Sequence, residues 1–249
     1  MFPIAIIIEA CVDTLASALN AERGGASRVE LCDNLADAGT TPSHGTLRLA
    51  LEQLGIPVFP IIRPRGGGFR YDEHDVAVMR ADLRHARELG APGAVIGAIS
   101  GDGDIDAALT ASLRADAPAM QLTFHRAFDV CRDPYVALEA LIDLGIDRVL
   151  TSGQANTAWD GRELIGQLVT QAAGRIVVMA GGGVDERNAG PLVRSTGVRE
   201  LHVRGTRRHE DQGSARPISF RKALPSDETV RAVTDPGRIA SIRTAANQG

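Results

Sequence analysis

Two cysteines, each preceded by a glutamate two residues earlier, stand 21 residues apart near the start of the chain: Glu9-Ala10-Cys11 and Glu30-Leu31-Cys32. Soft thiolates favour Cu(I) or Zn(II), and a two-coordinate dithiolate suits Cu(I) in particular. Zinc would want four ligands, and only carboxylates or more distant histidines are available to complete that set. The glutamates work in the opposite direction, because a neighbouring negative charge raises a thiol pKa and keeps the proton on sulfur. Cys11 and Cys32 are thus candidate metal ligands, with buried apolar filler as the other reading of the same residues.

Three further segments carry chemistry. Arg63-Pro64-Arg65 runs into three glycines, Gly66 to Gly68. Two arginines at period-two spacing are expected to face the same way, as a clamp for a carboxylate or phosphate. Gly181-Gly182-Gly183 and Val203-Arg204-Gly205 each follow an apolar run, and their backbone N–H groups could hold an anion. Thr123-Phe124-His125-Arg126 ends another run. His125 is placed there as a general acid/base or a soft-metal ligand, with Asp129 to orient it. Glu9, Arg126 and His202 complete the residues expected to meet a ligand. Cys131, just ahead of Asp133-Pro134, is given no role.

Such a set works only if the fold gathers it. Short apolar runs lie at 4–9, 28–32, 58–63, 93–98, 120–125, 148–152, 176–181 and 199–204. Segments of helical periodicity separate them, entered by signals such as Thr41-Pro42-Ser43 and Asp133-Pro134. Eight βα units in 249 residues match a closed (β/α)8 TIM barrel within one α/β domain. A doubly wound sheet would more often put a glycine-rich loop after its first strand, where this chain has Glu9-Ala10-Cys11-Val12-Asp13. Residues 205–226 read as a mobile loop and 235–248 as a closing helix. The carboxyl ends of the strands, where barrels keep their sites, would then carry Glu9, Glu30, Arg63 and His125.

Alternation along the strands sets the inward face. Arg28, Glu30 and Cys32 share one face of the second strand, Gln121, Thr123 and His125 one face of the fifth, and Glu200, His202 and Arg204 one face of the eighth. Buried polar groups need partners, so Glu30 and Glu200 are expected to neutralise Arg28 and Arg204. The first strand is apolar on both faces before Glu9, and its parity stays open.

Bulk properties narrow the function. A formal charge of −4, from 27 basic and 31 acidic residues, offers no basic footprint for nucleic acid. No apolar run approaches the length of a membrane span. The start lacks the basic region of a secretory signal, and three cysteines are too few and odd for a disulfide framework. A cytoplasmic location is expected.

Taken together, several stretches resemble the CutC family, associated with copper homeostasis: EACVD at 9–13, RVELC at 28–32, TPSHG at 41–45, IRPRGG at 62–67, TFHRAFD at 123–129, RVLTSG at 148–153, AGGGV at 180–184 and His202. The resemblance implies a TIM barrel, a cytosolic location, a homo-oligomer and copper bound by Cys11 and Cys32. Gly68, Gln154 and HVRGTRR at 202–208 depart from the family pattern. Two functions follow as expectations. One is Cu(I) binding by Cys11 and Cys32, helped by His125 or His202. The other is an enzyme acting on a small anionic or phosphorylated metabolite, with Glu30 and His125 moving protons while Arg63, Arg65 and the Gly182 loop hold the anion.

Overall fold

The computed structural model describes residues 5–210 and 230–248. From the amino end, strands and helices alternate: β1 (Ile7–Val12), α1 (Leu15–Arg23), β2 (Arg28–Leu31), α2 (His44–Gln53), β3 (Val58–Pro60), α3 (Glu73–Glu88) and β4 (Gly93–Ile96). The series continues with α4 (Ala107–Asp116), β5 (Gln121–Phe124), α5 (Pro134–Asp143), β6 (Arg148–Thr151), α6 (Arg162–Ala172), β7 (Val177–Gly181), α7 (Ala189–Thr196) and β8 (Glu200–Val203). Last come β9 (Thr206–Glu210), β10 (Val230–Thr234) and α8 (Pro236–Asn247).

The eight main strands hydrogen-bond in the order β3-β2-β1-β8-β7-β6-β5-β4. A parallel bridge from Ile61 to Val95 joins the two ends and closes the ring. This is the expected (β/α)8 TIM barrel. No helix among the described residues is long and apolar enough to cross a membrane.

Local signals explain the helix starts. Thr14, Ser43, Asp72, Asp106, Asp133 and Asp235 each accept a backbone N–H of the first turn through their side chain. Each satisfies a donor that the helix itself leaves unpaired. The outward strand residues Ile8, Ala10, Val29, Leu31, Leu122, Phe124, Leu201 and Val203 pack under the helices in one large core. A smaller apolar cluster of Cys11, Cys32, Phe59, Ile61 and Val95 fills part of the barrel interior. The small residue at 93 makes room for it: a Cβ there would meet the Phe59 ring at 2.4 Å and the Gln121 carbonyl at 2.7 Å.

Several boundaries differ from the sequence expectation, β3 ending at Pro60 and not at residue 63 among them, and two others matter for the layout. The first strand runs from Ile7 to Val12, not from residue 4 to Glu9, because its pairing with β2 extends as far as Val12 opposite Leu31. Glu9 is therefore inside the barrel wall and not at its mouth. Thr206–Glu210 is a strand, paired antiparallel with Val230–Thr234, and not the start of a loop. Its largely exposed charged side chains give no alternation to read. The remainder of that expected loop, 211–226, lies outside the described residues.

Gly93→Ala should cost about 1–3 kcal/mol by overpacking the interior. Urea unfolding measures it as a lowered midpoint with an unchanged slope. A midpoint equal to that of the parent would contradict the packing described here.

Candidate functional site

The floor of the site is a chain of buried charges. Arg28 donates from Nε to Glu9 Oε2 at 2.5 Å and from a terminal nitrogen to Glu200 Oε2 at 2.7 Å. Arg148 reaches the same Glu200 from the other side at 2.6 Å and also donates to Thr123 Oγ1 at 3.2 Å. Two carboxylates and two guanidiniums thus balance, and all four residues are at least 94 % buried. Of the expected network, Glu200 does neutralise Arg28, but Glu30 does not, and Arg204 is exposed. The reason is register: Glu9 is level with both Arg28 and His202, while Glu30 is level with Cys11.

Glu9 carries the network upward. Its second oxygen lies 2.8 Å from His202 Nδ1, and His202 Nε2 lies 3.5 Å from Glu30 Oε2. Burial opposes ionisation of Glu9, but Arg28 and His202 outweigh it and hold its pKa down at about 2. Burial would also lower His202, yet Glu30, Cys11 and Glu9 raise it well above the usual imidazole value. These neighbours favour the protonated ring at His202. Glu30, desolvated and beside Cys11, is pushed well above the carboxylate range.

The two sulfurs meet just above this floor. Cys11 Sγ and Cys32 Sγ are 3.9 Å apart, and both residues are buried. A donor atom from each of Cys11, Cys32 and Glu30 falls within 4.8 Å of the other two. The hydrogen bond from Cys32, more than the opposing burial, sets the Cys11 thiol well below its usual pKa. The same bond and burial push Cys32 well above it. The expected rise therefore holds for Cys32 alone: at Cys11 the Cys32 hydrogen bond, then His202 and a hydrogen bond with Glu30, outweigh burial. Because Cys11 is level with Glu30, Cys32 is two residues further along, just past the end of β2. Regular strand spacing and rise then separate the two Cα atoms by about 8 Å. That exceeds the usual span of a disulfide. An ion fits better: with metal–sulfur bonds of about 2.3 Å, a 3.9 Å separation corresponds to a bent angle of roughly 115°, which leaves room for a third ligand.

Above the sulfurs a cavity of ≈ 440 Å³ opens at the carboxyl ends of the strands. Cys11, Glu30, Arg63, Phe69, His125, Arg126, Gly182, Gly183 and His202 all face it. Cys32 lies behind Cys11, and Glu9 lies below. A second cavity of ≈ 510 Å³, at the opposite end of β7 and β8, is lined mainly by apolar residues with Arg199 and Glu200.

Arg63 and Arg65 do not face the same way. Arg63 is 2 % exposed and donates to the carbonyls of Asp37, Gly39 and Gly67. Arg65 turns out to Asp75 at 2.7 Å and lies over the Tyr71 ring. The strand ends at Pro60, so period-two alternation has stopped before either arginine is reached. Asp129 does not orient His125 either. It accepts from Arg126, from Thr151 Oγ1 and from the backbone and hydroxyl of Ser152, tying the turn after β5 to the end of β6.

His125 is placed by other residues. Its Nδ1 accepts the Ala127 N–H at 3.0 Å, which puts the ring proton on Nε2. A Cβ at residue 97 would meet the ring at 2.3 Å, so Gly97 is what lets the imidazole lie against β4. Burial, then the charge of Arg63, lowers its pKa to about 3. Gly182 and Gly183 adopt positive φ at the rim, and a side chain at 182 would press on Ser152 at 3.2 Å. Phe69, Gly97 and Arg148 went unremarked in the sequence. Only Arg148 had a usable signal, a charge in phase with the inward face of β6.

Comparison with known proteins gives a consistent picture. The family model of the CutC family matches residues 6–207. A human protein named copper homeostasis protein cutC homolog is 45 % identical over 242 residues, which is 96 % of this chain and 89 % of that protein. A family protein CutC from Vibrio vulnificus strain YJ016 is 47 % identical over 200 residues, 80 % of each chain. A solved CutC structure from Streptococcus agalactiae superposes with a TM-score of 0.76 at 36 % identity, covering 80 % of this chain and 98 % of that one.

The buried ladder makes two outcomes measurable. Arg28→Met leaves Glu9 and Glu200 without their shared cation and should cost about 3–5 kcal/mol in urea unfolding. A smaller loss than that of a surface arginine would exclude the ladder as a structural element. Acid should act through His125 as well. The unfolded imidazole binds a proton below its ordinary value of 6.5, the folded one only below about 3, so stability falls as pH drops between those values. His125→Gln should flatten the stability curve in that window, while the loss due to Glu9, between 4.5 and about 2, remains. Equal slopes in parent and variant would place His125 outside the acid response.

Proposed function

The chain belongs to the CutC family, and from that premise we propose that it takes copper as its cargo, binding Cu(I) between Cys11 and Cys32. The observation that carries this reading is the 3.9 Å separation of two buried sulfurs, with Glu30 as a third donor within reach. Thiolates are the ligands that Cu(I) prefers, and the contact between the two sulfurs already favours proton loss from Cys11. His202 supports the site from below. Anchored by Glu9, its ring favours negative charge at Cys11. Burial and Cys11 favour the protonated form of Glu30, which can give up its proton when a cation arrives.

The reading includes a cytoplasmic location, in keeping with three cysteines that are all free thiols. It also includes the homo-oligomer that the family resemblance implies, which light scattering of the purified protein would check.

Titration of the reduced protein with Cu(I) against a competing chelator tests the site. The parent should bind one ion per chain, and the Cys11→Ala/Cys32→Ala double variant should lose that affinity. Binding should tighten with rising pH, by about tenfold per unit for each proton released. Equal affinity in parent and variant, with circular dichroism showing both folded, would end the proposal.

A further inference from the structure

Arg63 is a buried cation with no carboxylate partner among the described residues. Three of its hydrogen bonds, at 2.7, 2.6 and 2.7 Å, go to main-chain carbonyls, which carry no net charge. Its Nε–H has no acceptor at all. Isolated buried charges are among the most unfavourable features a fold can carry, and they are found paired or bound to something. A second orphan stands nearby. His125 Nε2, which carries the ring proton because Nδ1 accepts from Ala127, also lacks a partner.

One ring touches both groups. Phe69 lies 5.1 Å from Arg63 Cζ and 5.0 Å from the centre of the His125 ring, and all three residues face the mouth cavity. Its face shields the guanidinium and the imidazole without accepting a full hydrogen bond from either. Two N–H donors, one positive charge and an apolar cover define the missing partner. It accepts and does not donate, carries one negative charge, and is small enough for ≈ 440 Å³. A carboxylate meets these conditions. Hydrogen phosphate brings a hydroxyl proton for which neither of these two donors is an acceptor, and a second negative charge where the unpartnered groups offer one positive charge.

We propose that the cavity takes a small monocarboxylate, whose oxygens accept from Arg63 Nε and His125 Nε2 once the Phe69 ring has turned aside. The three glycines at 66–68 precede that ring. A Cβ at 68 would touch nothing within 4 Å, and Gly67 already occupies a positive φ. The site is separate from the thiol pair and stands whether or not copper binds there.

The test uses metal-free protein labelled with 15N in its histidines, titrated at constant ionic strength with acetate, pyruvate or inorganic phosphate. A saturable shift of the His125 Nε2 resonance with acetate or pyruvate, and a much weaker one with phosphate, is the expected result. Phe69→Ala removes the cover and should bind pyruvate about fivefold more tightly, the equivalent of one exposed cation–π contact. The Cys11→Ala/Cys32→Ala variant should respond as the parent does. In His125→Phe, calorimetry should show pyruvate binding weakened or lost. No saturable shift in either the parent or Phe69→Ala would overturn the proposal. So would equal binding of phosphate and pyruvate, or unchanged pyruvate affinity in His125→Phe.

Discussion

The barrel interior depends on Arg28. A single guanidinium, almost wholly out of water, holds Glu9 on one side and Glu200 on the other. Desolvation alone would favour the neutral acid at Glu9, and the charge of Arg28 is the largest influence that opposes it. Arg148 supplies the second cation and brings the count of charges to zero. The order of the ladder follows from strand neighbourhood. β2 and β8 flank β1, so the residue level with Glu9 on each side becomes its partner. The neighbouring groups respond to this arrangement. Glu9 stays anionic, which favours the protonated ring at His202, and His202 in turn favours negative charge at Cys11.

The mouth itself has two unlike sides. Around β1, β2 and β8 the groups are sulfur, carboxylate and imidazole, in contact with one another. Around β3 and β5 they are a guanidinium and a neutral imidazole, both covered by Phe69. The first side suits a soft cation that displaces a proton. The second suits a hard anion that displaces an aromatic ring. A cavity with both characters explains why this barrel carries arginine and glycine motifs that a simple thiolate clip does not require.

Sequence and structure can be compared residue by residue. Alternation placed Glu30, His125, Glu200 and His202 on the inward face, because a buried sheet with apolar residues in every other position leaves no choice. The same rule misled at Arg63 and Arg65, where the strand had already ended and the chain had turned. It was silent on β1, apolar on both faces, and so on whether Glu9 lay at the rim or in the wall. Asp129 looked like a partner for His125 by nearness in the chain, but Thr151 and Ser152 from β6 claimed it first.

Eight repeating βα units, the family pattern and the types of side chain facing inward were all legible in one dimension, because periodicity and composition are local properties. Which carboxylate meets which arginine was not. That depends on the stagger between neighbouring strands, a quantity set by closing the whole ring. The same stagger brings Cys11 level with Glu30 instead of Cys32. Two thiols 21 residues apart thereby end 3.9 Å from each other, at a spacing suited to holding an ion rather than a covalent bond.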